Sequence, residues 1–142
     1  MTRPKTVYDL MCEVACHLAQ KQLQLRFQHN EGFKGLCRTD NSGLTVIDMD
    51  PDLQFWDEKE FLRVFLHEVS HALNHKFIPL DLQVSSKLEV IEDKVYNKRE
   101  AQADKQASTW LKYAEQNRKA ELPYFEGCLW TLLAYQVTKG FY

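Results

Sequence analysis

Apolar residues along this chain recur with two periods, and the periods divide it into helices and strands. Over residues 5–22, Val7, Leu10, Met11, Val14 and Leu18 return at helical spacing, so the segment is expected to be a helix with one buried face. The next stretch, LQLRFQH (23–29), alternates apolar and polar residues as a half-buried strand does. FKGLCRT (33–39) and LTVIDMD (44–50) flank the turn-forming DNSG and predict a hairpin. The expected product is a small sheet of three antiparallel strands.

After Pro51 the period becomes helical again. Asp57 with Glu60 three residues on has the form of a capping box, which starts a helix near residue 58. Phe61, Leu62, Phe65, Val69, Ala72 and Leu73 make that helix apolar enough to be mostly buried, and it should end before Pro79. Residues 76–95 give no clear period and are read as containing a loop. A second strong helix is expected from about Tyr96 to Lys119, with Ala103, Ala107, Trp110 and Ala114 as its stripe. Following Pro123, YFEGCLWTLLAYQV reads as a short, almost wholly apolar helix. With no repeat, low-complexity tract or long linker, residues 1–142 are read as a single α+β domain.

Composition narrows the partners. Apolar residues make up 44% and charged residues 27%, too apolar for a disordered chain, and the net charge of −2 lacks the basicity expected of a nucleic-acid binder. No apolar run approaches the roughly 18–20 residues a membrane span needs. Asp9, Glu13 and His17 interrupt any signal-peptide core, so a cytoplasmic protein is expected. Cys12, Cys16, Cys37 and Cys128 are then read as small buried hydrophobes rather than disulfide partners.

The chemistry is concentrated in FLHEVSHALNH (65–75). His67-Glu68-Val69-Ser70-His71 fits H-E-x-x-H, and residues four apart on a helix share a face, so both imidazoles can reach one tetrahedral zinc at ~2.0–2.1 Å. Glu68 is turned about 100° from His67, where it can flank the metal as a proton acceptor. His75 is excluded as third ligand: eight residues at ~1.5 Å each put it ~12 Å along the axis from His67. The three-histidine zinc pattern fails as well, because Asn74 and Phe77 stand where it needs glycine and histidine. A better third ligand is Glu100 in the following strong helix, which leaves a fourth position open for water. Asp104, one turn on, is placed to accept the other ring N–H of a ligating histidine. The small residues Ala101, Ala103 and Ala107 would let the two helices approach closely. Two histidines and one carboxylate at this spacing favour zinc.

HEVSHALNH together with EAQAD resembles the ImmA/IrrE-type zinc metallopeptidases over about residues 40–112. The resemblance implies a zincin-like α+β fold with a small sheet beside the H-E-x-x-H helix. It also implies His67, His71 and Glu100 as zinc ligands, Glu68 as catalytic base and Asp104 behind the ligands. Members typically cleave helix-turn-helix transcriptional repressors, so the expected partner is a separately encoded repressor, with no direct nucleic-acid or membrane contact. The sequence departs from the family at Gln106 and in KQASTWLKYAEQ, where an aromatic and a Leu-Leu-Met-Pro-like run are usual. The alternative is a peptidase-like module that sequesters a repressor or antitoxin without cutting it, and a further rival is a peptidase acting on protein crosslinked to DNA. Tyr96, Arg63 and His75 are the candidates for stabilising an oxyanion.

Overall fold

The computed structural model describes residues 6–29, 34–39, 42–55, 57–74 and 86–136, with the backbone alone at 54 and 86–97. Helix α1 spans Val7–Ala19, shorter at both ends than the expected 5–22. Thr6 caps it in a reciprocal box: the Asp9 N–H donates to Thr6 Oγ1 and the Thr6 N–H to the Asp9 carboxylate. Gln20 closes the other end in the left-handed region, at φ 55°. Leu10, Met11, Val14 and Leu18 are buried as expected, whereas Val7 at the first turn is exposed.

Strands β1 (Leu23–Phe27), β2 (Gly35–Thr39) and β3 (Thr45–Met49) form the sheet in the order β1-β3-β2. Strands β2 and β3 make the expected antiparallel hairpin, with Gly35 opposite Met49 and Thr39 opposite Thr45. The all-antiparallel expectation is wrong for β1, which lies parallel to β3, Leu23 beside Thr45 and Phe27 beside Met49. Burial explains the exchange. All five β3 residues are buried, including Thr45 and Asp48, while β1 and β2 are only partly covered. A strand with apolar residues on both faces gains most in the middle, so the hairpin folds its second strand into the gap beside β1. On the side of the sheet that joins the core, Leu25, Ile47 and Met49 are buried and Cys37 packs against them.

The middle strand carries one buried charge. Asp48 accepts from Arg26 Nε at 2.9 Å and Nη2 at 3.2 Å, and from Arg38 Nε at 3.5 Å. The outer edge of β1 is closed by α1: Tyr8 Oη donates to the Leu25 carbonyl, and Cys16 Sγ lies 3.9 Å from the Leu23 carbonyl. Both contacts satisfy backbone acceptors that an edge strand would otherwise expose.

A 3-10 turn at Pro51–Phe55 leads to α2 (Glu58–Asn74). Asp57 Oδ1 accepts the N–H groups of Lys59 and Glu60, at 2.7 and 3.3 Å, so it caps the helix as predicted. Glu60 instead pairs with Arg63, at 2.7 and 3.0 Å. Helix α3 (Ser86–Asn117) begins ten residues before the expected Tyr96, inside the stretch read as loop-containing. SKLEVIEDKV lacks glycine and proline, and its Leu88, Ile91 and Val95 fall at helical spacing, a short signal that the ambiguous reading of 76–95 passed over. Residues 75–85, including His75 and Pro79, lie outside the described residues. Helix α4 (Tyr124–Leu133) follows Pro123. One buried cluster draws on the four helices and the sheet, with Phe65, Leu66, Trp110, Leu129 and Leu132 at its centre. Among the described residues no helix is long and apolar enough to cross a membrane.

Candidate metal centre

Helices α2 and α3 pack against each other, and Ala103 and Ala107 are buried on α3 as close approach requires. Ala101, expected to share that role, is exposed. The contact brings residues of the two motifs, 29 or more positions apart, onto one spot. His67 Nε2 lies 2.8 Å from Glu100 Oε2, His71 Nε2 lies 2.8 Å from Glu100 Oε1, and the two Nε2 atoms are 3.1 Å apart. The histidine rings stand edge to face at 4.7 Å. On its other side His67 Nδ1 meets Asp104 Oδ1 at 2.8 Å. Four of the five sequence-predicted residues therefore converge, with Asp104 behind His67 as its position one turn beyond Glu100 suggests.

Glu68 departs from them. It is only 7% exposed, and its carboxylate is held by a hydrogen bond from the Cys37 backbone on β2. His67, Glu68 and His71 form a group that could hold a metal ion, one donor atom of each lying within 4.8 Å of the others. Glu68 and Glu100 thus both border the space in front of the histidines. Glu100 presents one oxygen to each imidazole nitrogen at 2.8 Å, the arrangement expected of the predicted third ligand. Glu68 turns to β2 instead.

Electrostatics tests whether these residues fit a cation. Burial first, and then the charge of Glu100, raises the Glu68 carboxyl from 4.5 to about 8, opposed by the Cys37 hydrogen bond. Burial likewise lowers His71, only partly offset by Glu100, which favours the neutral, ligating imidazole. His67 presents both ring nitrogens to carboxylate oxygens, although a neutral imidazole carries one N–H. If Asp104 takes that proton, the Nε2 lone pair faces Glu100, and only a cation between them, or a second proton, relieves the repulsion. Two carboxylates and two imidazoles around one spot fit a divalent metal.

Of the oxyanion candidates, Arg63 is paired with Glu60 and feels the charge of Asp104, while His75 and the Tyr96 side chain lie outside the described residues. The four cysteines are free, Cys128 buried and the others half-buried. Burial, aided by nearby Glu68, pushes the Cys37 thiol up to about 12, so it is an inert apolar group beside the site. Gly35 and the Cys37 backbone, which support Glu68, escaped the sequence reading. A glycine inside a strand is the one signal that points to them. Compared with models of known protein families, with curated proteins and with solved structures, the chain matches none.

Proposed function

We propose that this protein is a zinc-dependent endopeptidase of the H-E-x-x-H…E type. The observation that carries the reading is the meeting of His67 Nε2, His71 Nε2 and Glu100 within 2.8–3.1 Å of one another, with buried Glu68 alongside. A zinc ion held by those three side chains would supply Lewis acidity toward a scissile carbonyl and toward water. Glu68 takes the proton from the attacking water and passes it to the leaving amine. Its place beside the histidines, with a donor atom within 4.8 Å of one on each, suits that task. Asp104 accepts the His67 Nδ1 proton, which fixes the ring's tautomer and keeps Nε2 free for the metal.

The resemblance to the ImmA/IrrE-type peptidases supports a helix-turn-helix repressor, encoded separately, as the substrate. The decisive experiment combines metal content with cleavage. Purified protein should hold one zinc per chain and cut such a repressor, and Glu68→Gln should keep the zinc and lose cleavage. Undiminished turnover by Glu68→Gln refutes the mechanism. One observation favours a second reading, a module that captures a repressor without cutting it. Each described imidazole nitrogen of His67 already has a carboxylate partner, so a doubly protonated ring closes the network with no metal. A stable complex with intact repressor, insensitive to chelator, would select that reading.

A further inference from the structure

Gly35 opens β2, and its backbone does not explain why it is glycine. Among the described residues the glycine in the left-handed region is Gly43, not Gly35. A glycine in a strand costs stability relative to residues with side chains, so space is the remaining reason. A Cβ at position 35 would lie 2.9 Å from Glu68 Cγ, 3.1 Å from Val64 Cγ1 and 3.4 Å from Glu68 Cδ. Carbon atoms pack best at about 3.5–4.0 Å, so the first contact is a clash and the second is tight. Val64 is buried and belongs to the same helix, one turn before Glu68, and therefore has little freedom to yield.

The hydrogen-bond phase of β2 shows what the gap serves. The Asp50 N–H bonds the Lys34 carbonyl at 2.9 Å, which sets Lys34, Leu36 and Arg38 to exchange bonds with β3. Gly35, Cys37 and Thr39 then turn their N–H and C=O groups away from β3. Glu68 takes the Cys37 group, reaching it past the position where a side chain at 35 would stand. The zinc-ligand candidates are elsewhere: His67 and His71 both face Glu100 on α3, His67 also meets Asp104, and none of them is among the atoms nearest a Cβ at 35.

We propose that Gly35 is a positioning residue for Glu68: the missing side chain lets the carboxylate reach the Cys37 backbone beside the metal ligands, and a methyl group at 35 displaces the base while sparing the ligands. The proposal rests on the reading of Glu68 as proton acceptor, and its test separates the two. The first readout needs no catalysis. Melting temperatures are compared in chelator for the wild type, Gly35→Ala, Glu68→Ala and the double variant. Removing Glu68 Cγ removes the nearest clash, so the loss caused by Gly35→Ala should shrink by about half or more in the Glu68→Ala background. Equal losses in both backgrounds overturn the proposal.

The second readout is zinc affinity, by competition with a fluorescent chelator. Gly35→Ala should stay within about threefold of wild type, since no ligand moves. A loss of about tenfold or more, close to that of a perturbed ligand shell, would mean that Gly35 supports the whole centre, and the proposal falls. The third is turnover of a pool of quenched fluorescent peptides. Gly35→Ala should lower kcat by about tenfold to a hundredfold, the cost of moving a catalytic group by about 1 Å, with KM little changed. Full activity in Gly35→Ala beside an inactive Glu68→Gln defeats the positioning role alone. Full activity in Glu68→Gln defeats the base itself.

Discussion

Replacing Glu68 by glutamine should change how the metal-free protein responds to pH, not only its activity. Glu68 is 7% exposed, and burial with the neighbouring charge of Glu100 raises its carboxyl from 4.5 to about 8. Between those values the folded chain holds a proton that the unfolded chain has released. Stability therefore falls as pH rises across the interval, by about 1.4 kcal/mol for each pH unit. His71 has the opposite sign: burial lowers it, so its contribution rises with pH and is complete once pH passes its ordinary value of 6.5. The window from pH 6.5 to 8 isolates Glu68. Over it the wild type should lose roughly 1–2 kcal/mol relative to Glu68→Gln, whose amide does not titrate. Urea unfolding of both proteins in chelator at four pH values measures the difference directly. Parallel pH dependence of the two proteins would refute the buried, charge-crowded Glu68 described here. Adding zinc should flatten the wild-type slope, because a nearby cation favours the ionised carboxylate.

Other substitutions test the rest of the site and its scaffold. Glu100→Ala should abolish tight zinc binding, and Asp104→Asn should weaken it by about 10–100-fold, both read by chelator competition. Asp48→Asn leaves Arg26 and Arg38 with access to water, whereas removing both arginines takes two charged donors from a buried carboxylate. The double variant Arg26→Ala/Arg38→Ala should therefore be the less stable of the two, by about 1–3 kcal/mol in urea unfolding. Thr6→Ala breaks the α1 capping box and should cost about 1 kcal/mol in the same assay.

Much of this architecture is legible in the order of residues, because its signals are local. The helical period placed α1, α2 and α4, and Asp57 announced the start of α2 with a side chain that caps its own neighbours. Helix α3 was half visible: the stripe from Ala103 to Ala114 showed its packed portion, while its first ten residues offer only Leu88, Ile91 and Val95 at helical spacing after a stretch with no clear period. The sheet failed in one respect. TVIDM places Val46 on one face and Ile47 and Met49 on the other, which is compatible with a strand covered on both sides, but a hairpin signal says only which strands are linked, not which one occupies the centre.

The site divides along the same line. Spacing alone put His67 and His71 on one face, removed His75 from the ligand set and set Asp104 one turn beyond Glu100, while the choice of Glu100 itself rested on the small alanines around it and on the family resemblance. The spacings are consequences of helix geometry, which the chain carries in any context. Only the tertiary structure decided that α3 lies against α2 closely enough for Glu100 to face both imidazoles, and that β2 passes beside Glu68. Such contacts depend on how surfaces pack, and packing is a property of the whole core. Gly35 shows the difference most plainly. Along the chain it is an unremarked small residue near a turn, and in the fold its missing side chain is the space that Glu68 occupies.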